Sequence, residues 1–148
     1  MKPKARAVVI GGGVVGVSTL YHLAAKGWDD SILLERKSLT SGSTWHAAGL
    51  LPLFNMSYSV GQIHKYSVRF YQELQDETGM DVGFRKVSNI RLASTKDRMD
   101  EYLQYKGVAD TIGVEVNVLS PQEIKDCWPL VSTENLIGAI QHPEDGYI

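Results

Sequence analysis

The first chemistry legible in the chain lies in one short stretch, Gly11-Gly12-Gly13-Val14-Val15-Gly16. It fits the pattern G-x-G-x-x-G, and each pattern glycine has a mechanical task. Gly11 permits a tight turn, Gly13 lets the backbone come close to a pyrophosphate, and Gly16 lets a helix pack closely on a strand. The backbone N–H groups that open the following helix, from Val14 and Val15 onward, are the phosphate donors, aided by the positive end of the helix dipole. Glu35 stands nineteen residues beyond Gly16. A carboxylate there accepts hydrogen bonds from a ribose 2′-hydroxyl and repels a 2′-phosphate, so FAD or NAD is favoured over NADP. The neighbouring Arg36 slightly weakens that exclusion. Glycine turns that bind nothing are common, so the weight of the motif comes from its context.

A second group of residues with chemical potential is Ser43-Thr44-Trp45-His46-Ala47-Ala48-Gly49. The hydroxyls of Ser43 and Thr44 either donate hydrogen bonds to a cofactor or cap a turn, and Trp45 reads as a packing residue. His46, taken alone, is weak evidence of any chemistry. His22 and His64 fall on helices and read as solvated or satisfied histidines. Cys127, the one cysteine, reads as a small buried residue rather than a nucleophile. No Cys/His cluster has metal-ligand spacing, and no residue is assigned as a catalytic acid, base or substrate ligand.

The elements that position the glycine loop form a βαβ unit. Residues 5–10 are a β-branched apolar run suited to a strand buried on both faces. Residues 14–26 carry Val17, Leu20, Tyr21 and Ala24 at helical spacing, with Gly27 placed to end the helix, and 31–35 form a second buried strand. A unit of this length implies parallel strands joined by a right-handed crossover. Residues 38–55 read as a loop with one helical turn. Val60, Ile63, Ser67, Phe70 and Leu74 then mark a helix over 57–78 that Gly79 closes. Two short strands are expected in 82–93, a helix over 95–112 stopped by Gly113, and a half-buried strand at 114–119. Ser120-Pro121-Gln122-Glu123 is a capping box that starts a short helix, and the chain ends with a strand at 136–141 and a turn.

Composition narrows the classes further. With 43% hydrophobic and 22% charged residues, the 148-residue chain can bury a core, which excludes wholesale disorder. Fifteen Lys plus Arg against seventeen Asp plus Glu give a net charge of -2 without long runs of either sign. Neither a nucleic-acid footprint nor a basic membrane surface is suggested. A single cysteine fits a reduced, intracellular setting. The apolar stretch at 7–10 is too short for a signal-peptide core or a membrane span, so the chain is expected to be soluble and cytoplasmic.

The sequence STWHAAG, following such an opening, resembles the flavin-dependent dimethylglycine and sarcosine dehydrogenases, members of the D-amino-acid-oxidase-like flavoproteins. The similarity runs through most of the chain, including VSNIRLAS at 87–94 and HPEDGYI at 142–148. It implies an α/β fold: the N-terminal part of a Rossmann-like FAD-binding domain over residues 1–80, and the first lobe of a mixed-sheet substrate domain over 81–148, both incomplete. It carries Gly11, Gly13 and Gly16 to the FAD pyrophosphate, Glu35 to the adenosine ribose, and His46 to a covalent bond with the flavin 8α-methyl group. Gly49, the last residue of that motif, is counted with the cofactor-binding residues. An electron-withdrawing imidazole there raises the flavin potential and favours hydride uptake from the carbon next to an amine nitrogen. The implied reaction removes an N-methyl group oxidatively, through an iminium that hydrolyses to the demethylated amine and formaldehyde.

Relatives of this kind are considerably longer, so the chain reads as the N-terminal portion of such an enzyme, with little activity alone. It is expected to associate with itself or with the missing segments, to take a small N-methylated amine as substrate in the full-length context, and to have no nucleic-acid or membrane partner. In a eukaryote its compartment would be the mitochondrial matrix. Two other readings stand beside this one: a catalytically inactive remnant that binds partners through the surface those segments would cover, and an NAD-binding Rossmann module.

Overall fold

The computed structural model describes residues 4–148 and divides the chain into two compact units, the first ending at Ala48 and the second spanning Gly49–Ile148.

In the first unit, β1 (Ala7–Ile10) and β2 (Ser31–Leu34) flank α1 (Val14–Ala25). The strands pair parallel, in register from Ala7 opposite Ser31 to Ile10 opposite Leu34. The βαβ expectation is met, and Gly27 adopts φ +79° just beyond the helix, a conformation that costs little without a Cβ. Burial on both faces is not met within the described residues. Val9 lies on the α1 side, whereas Val8 and Ile10 are 53% and 84% exposed, because α1 covers only one face of the pair. Residues Ser43–His46 form one 3₁₀ turn in the expected loop.

The second unit contains, in chain order, β3 (Leu50–Leu51), α2 (Tyr58–Thr78), β4 (Arg85–Lys86), β5 (Asn89–Ala93), α3 (Lys96–Ile112), β6 (Asn117–Leu119), α4 (Pro121–Cys127), β7 (Gly138–His142) and β8 (Gly146–Tyr147). Its strands make two antiparallel sheets, ordered β3-β8-β4 and β5-β7-β6. The core lies between β5, β7 and the helices. α3 contributes Tyr102, Tyr105, Ala109 and Ile112, a helical stripe, and Val68, Val114, Val116 and Ile140 pack around them.

Local signals place the helix ends well. The Ser57 and Thr95 hydroxyls accept the Val60 and Arg98 N–H groups, and Gly79 and Gly113 end α2 and α3 at φ +67° and +75°. At α4 the Glu123 carboxylate accepts the Ser120 N–H at 2.7 Å while the Ser120 hydroxyl accepts the Glu123 N–H at 3.3 Å, the expected capping box. Two expectations are corrected. The buried face of α2 centres on Gly61 and Val68, whereas Val60 and Ile63 of the anticipated stripe are 38% and 63% exposed. The reason is the absent side chain at Gly61, whose space the Ile112 side chain occupies. Cys127 is exposed rather than buried. It ends a seven-residue helix that buries only Ile124. Because α2 packs on α3, the compact second unit takes in residues 49–80 as well as those that follow.

Filling the Gly61 notch should therefore be costly. Gly61→Val is expected to destabilise the second unit by about 1–3 kcal/mol through overpacking, seen as a lower denaturant midpoint. Ile112→Ala in the same background should recover part of that loss, and a variant no less stable than the parent would show that the helices are not closely apposed there.

Candidate nucleotide cleft

Close approach at the glycine turn builds the site. Gly11 takes φ +107°, and a Cβ at Gly16 would overlap the Gly11 carbonyl oxygen, so the start of α1 can lie against the end of β1 only because Gly16 has no side chain. Gly12 is under a milder constraint that the sequence pattern did not disclose, set by side chains rather than by backbone. Its Cβ would stand 2.6 Å from Leu39 Cδ2 and 3.0 Å from Glu35 Cβ.

The loop after β2 then folds back over this turn. The Thr40 N–H donates to the Gly12 carbonyl at 2.9 Å, and Thr40 itself adopts φ +61°, a strained conformation for a branched residue and one that no local sequence signal announces. The Val14 N–H donates to the Thr44 hydroxyl at 3.0 Å. Thr44 therefore caps the helix as an acceptor and keeps its own O–H free to donate. Among the described residues the Val15 and Gly16 N–H groups, which precede the first intrahelical bond from Val17 to Gly13, have no protein acceptor.

Glu35 closes one end. Its Oε2 accepts the Gly12 N–H at 2.7 Å and its Oε1 accepts the Lys37 N–H at 2.8 Å. These two bonds, the Gly12 one foremost, hold its carboxyl below the usual carboxylate range. Each oxygen keeps a further lone pair for an incoming hydroxyl.

A cleft of about 650 Å³ results, lined by Gly11, Gly13, Val14, Val15, Gly16, Glu35, Arg36, Ser43 and Thr44 together with Gly12, Thr40 and Ala47. A pyrophosphate requires backbone bare of Cβ atoms beside unengaged N–H groups, and a ribose requires an acceptor-only side chain. Both are present, so these residues fit a dinucleotide.

Trp45, His46 and Gly49 do not line the cleft. Trp45 is 68% exposed with its ring centroid 4.4 Å from that of His46, and the His46 Nδ1–H donates to the Gly42 carbonyl at 3.1 Å. Gly49 belongs to the second unit, where φ +72° and the adjacent Ile148 carbonyl explain its identity, and its carbonyl accepts the Ile148 N–H at 2.9 Å. His22 is satisfied by the Ser18 carbonyl at 2.7 Å. His64 departs from expectation, since its Nδ1 is buried without a hydrogen-bond partner.

The sequence family described as "FAD dependent oxidoreductase" matches residues 6–148. The rat protein "Dimethylglycine dehydrogenase, mitochondrial" is 41% identical over 147 residues, which is 99% of this chain and 17% of that protein. The human "Sarcosine dehydrogenase, mitochondrial" is 42% identical over 143 residues, 96% of this chain and 16% of that protein. Among solved structures, L-proline dehydrogenase from P. horikoshii superposes with a TM-score of 0.89 at 25% identity, covering 99% of this chain and 38% of that one. The chain thus spans about one sixth of the length of these curated relatives.

The depressed Glu35 titration gives a directional expectation. A depressed carboxyl keeps its charge above its unfolded pKa and loses it only as pH falls through the folded value, below 4.5. Binding of an adenosine nucleotide through Glu35 should accordingly stay level from neutral pH down to about pH 5. Glu35→Gln should weaken it roughly tenfold throughout that range, the scale of one charge-assisted hydrogen bond. Calorimetric titration with ADP checks this, and equal affinity in the variant would remove Glu35 from the site.

Proposed function

The chain belongs to the FAD dependent oxidoreductase family, and from that premise we propose that it holds the adenosine and pyrophosphate of FAD in an enzyme that oxidatively demethylates N-methylated glycines such as dimethylglycine or sarcosine. The observation that carries the proposal is the docking of loop 38–44 on the glycine turn, which puts Thr44 on the Val14 N–H in the same cleft as Glu35, bound to the Gly12 N–H. The Val15 and Gly16 N–H groups hold the pyrophosphate, the Thr44 O–H adds a donor, and Glu35 takes the ribose hydroxyls. Arg36 and Ser43 flank them. Bound FAD supplies the electron acceptor for oxidation of the carbon next to the amine nitrogen. His46, two residues beyond Thr44 on the 3₁₀ turn, would be the residue that holds the flavin covalently at its 8α-methyl carbon, with Trp45 packed beside it. The domain division of the whole enzyme follows the same reading, with residues 1–80 in the FAD domain and 81–148 in the substrate domain.

The open face of β1, with Val8 and Ile10 exposed, is where further segments of the enzyme or a second copy pack. The compartment is the cytoplasm or, in a eukaryote, the mitochondrial matrix. Among the described residues no helix is long and apolar enough to cross a membrane.

Two measurements test this. Full-length protein should retain flavin after acid precipitation, with the adduct on the peptide containing Trp45. His46→Ala should lose the adduct while keeping some noncovalent FAD, and Gly13→Leu should lose both, because a side chain fills the pyrophosphate space. Unmodified peptide under FAD-replete, oxidising conditions contradicts the covalent bond, and normal flavin content in Gly13→Leu contradicts the cleft. The 148-residue chain alone should associate in light scattering and turn over little dimethylglycine, whereas a monomer with full turnover would show that no cover is needed.

A further inference from the structure

The flavin reading leaves unused a polar cluster inside the second unit: Tyr105 and His142 are 0% exposed and Asp145 is 2% exposed. Tyr105 has one hydroxyl proton, and it goes to the Leu53 carbonyl at 3.2 Å. Toward His142 Nε2, 3.0 Å away, the phenol oxygen must therefore accept. That fixes the neutral tautomer of His142 with its proton on Nε2 and leaves Nδ1 a bare acceptor. Asp145 Oδ1 accepts the Leu53 N–H at 2.8 Å. The remaining atoms, Asp145 Oδ2 and His142 Nδ1, are buried without hydrogen-bond partners.

Both backbone groups of Leu53 are thus held by this cluster. Leu53 follows β3, a strand of only two residues paired with β8, and the Asp145 carbonyl in turn accepts the Val87 and Ser88 N–H groups at 3.1 and 2.9 Å. One turn residue joins three segments far apart in sequence. With so short a ladder, the side-chain bond from Asp145 is a large part of what anchors β3.

We propose that Asp145 clamps the 50–53 segment through Leu53 and that His142 is its acid–base counterweight, the pair keeping this anchoring level from mildly acidic to neutral pH. The inference does not depend on the flavin assignment. Burial disfavours the charged form of each group: it pushes the Asp145 carboxyl up to about 6 against the opposing pull of the Leu53 N–H and Arg91, and it pushes the His142 imidazole down to about 4, with Arg91 adding to that.

The other groups facing the pair are few. Arg91 of β5 shares the sheet face of His142, since Asn89 is opposite His142 and Arg91 opposite Ile140, and its guanidinium lies 4.2 Å from the Phe54 ring centroid. Tyr105 of α3 is pushed up to about 12 by burial and stays neutral. From β4, Lys86 pairs with Glu144 at 2.8 Å and Arg85 with Asp81 at 2.6 Å, all at the surface. Tyr147 of β8 is 45% exposed, and β3 contributes no charge.

Between about pH 4 and 6 the closed cluster then holds a neutral acid and a neutral base. Opening to water lets Asp145 release a proton and His142 take one up, with no net exchange. Taken singly the signs oppose. The raised Asp145 pKa weakens the closed form as pH rises toward 6, and the lowered His142 pKa weakens it as pH falls toward 4.

Amide hydrogen exchange of the 50–53 region in the full-length protein, corrected for intrinsic rates and compared at pH 5 and 7, reads this directly. Opening in the parent should change by less than about fivefold, whereas in Asp145→Asn it should rise roughly tenfold on going down to pH 5, and in His142→Gln roughly tenfold on going up to pH 7. Asp145→Asn keeps an oxygen for the Leu53 N–H, and either variant alone carries its sign test. Asp145→Ala should lower protection of Leu53 at both pH values. Slopes of the same sign in the two variants, a flat response in either, a parent as steep as the variants, or unchanged protection in Asp145→Ala would each overturn the proposal.

Discussion

Everything in the first unit rests on one contact between backbones: the start of α1 against the Gly11 carbonyl, possible only because Gly16 has no Cβ. Beyond the Val14 N–H, which Thr44 accepts, the Val15 and Gly16 N–H groups are left without a protein acceptor at the positive end of the helix dipole. Glu35 then does two jobs with one carboxylate. It binds the Gly12 N–H, tying β2 to the turn, and it keeps lone pairs for a ligand. Loop 38–44 completes the cleft by giving the turn a backbone donor from Thr40 and the helix a side-chain acceptor from Thr44. The turn is therefore braced from two sides, which preorganises its N–H groups without filling the space in front of them.

The second unit solves a different problem. Its sheets contain strands of two residues, too short to hold themselves by ladder bonds, and it relies on long-range polar ties from the 142–148 segment to residues 49–53 and 87–88. Two stretches that stood out in the sequence for their resemblance, WHAAG and HPEDGYI, meet there through Gly49 and Ile148. Gly49 accordingly has a backbone reason for being glycine, independent of any cofactor. The hydrophobic side of the same unit is built around α3, whose Tyr105 serves both as core and as hydrogen-bond relay.

Local rules made much of this legible. Helix caps and closing glycines, from Ser57 to Gly79 and from Thr95 to Gly113, are decided within a few residues, so periodicity and capping chemistry place them. The βαβ unit was legible for the same reason. What was not legible depended on partners distant in sequence. β3 exists because Leu50 and Leu51 find Tyr147 and Gly146, β8 because it lies between β3 and β4, and neither segment has a pattern of its own. The buried face of α2 was misread because a glycine, not a large apolar residue, marks where α3 comes closest. In the cleft, the pattern disclosed Gly11, Gly13, Gly16 and Glu35, but the demand on Gly12 comes from Leu39, and the strain at Thr40 comes from the loop it must turn. His142 and Asp145 read only as part of a turn, since nothing nearby in sequence shows that both are buried beside Leu53 and Tyr105.

The central claim is that the glycine turn and Glu35 hold the adenosine half of FAD. A crystal structure of the full-length protein with its bound cofactor tests it most directly. The account places the pyrophosphate on the Val15 and Gly16 N–H groups beside the Thr44 hydroxyl and the ribose on Glu35. A flavin held elsewhere in the protein, or a nicotinamide dinucleotide in this cleft, would contradict it.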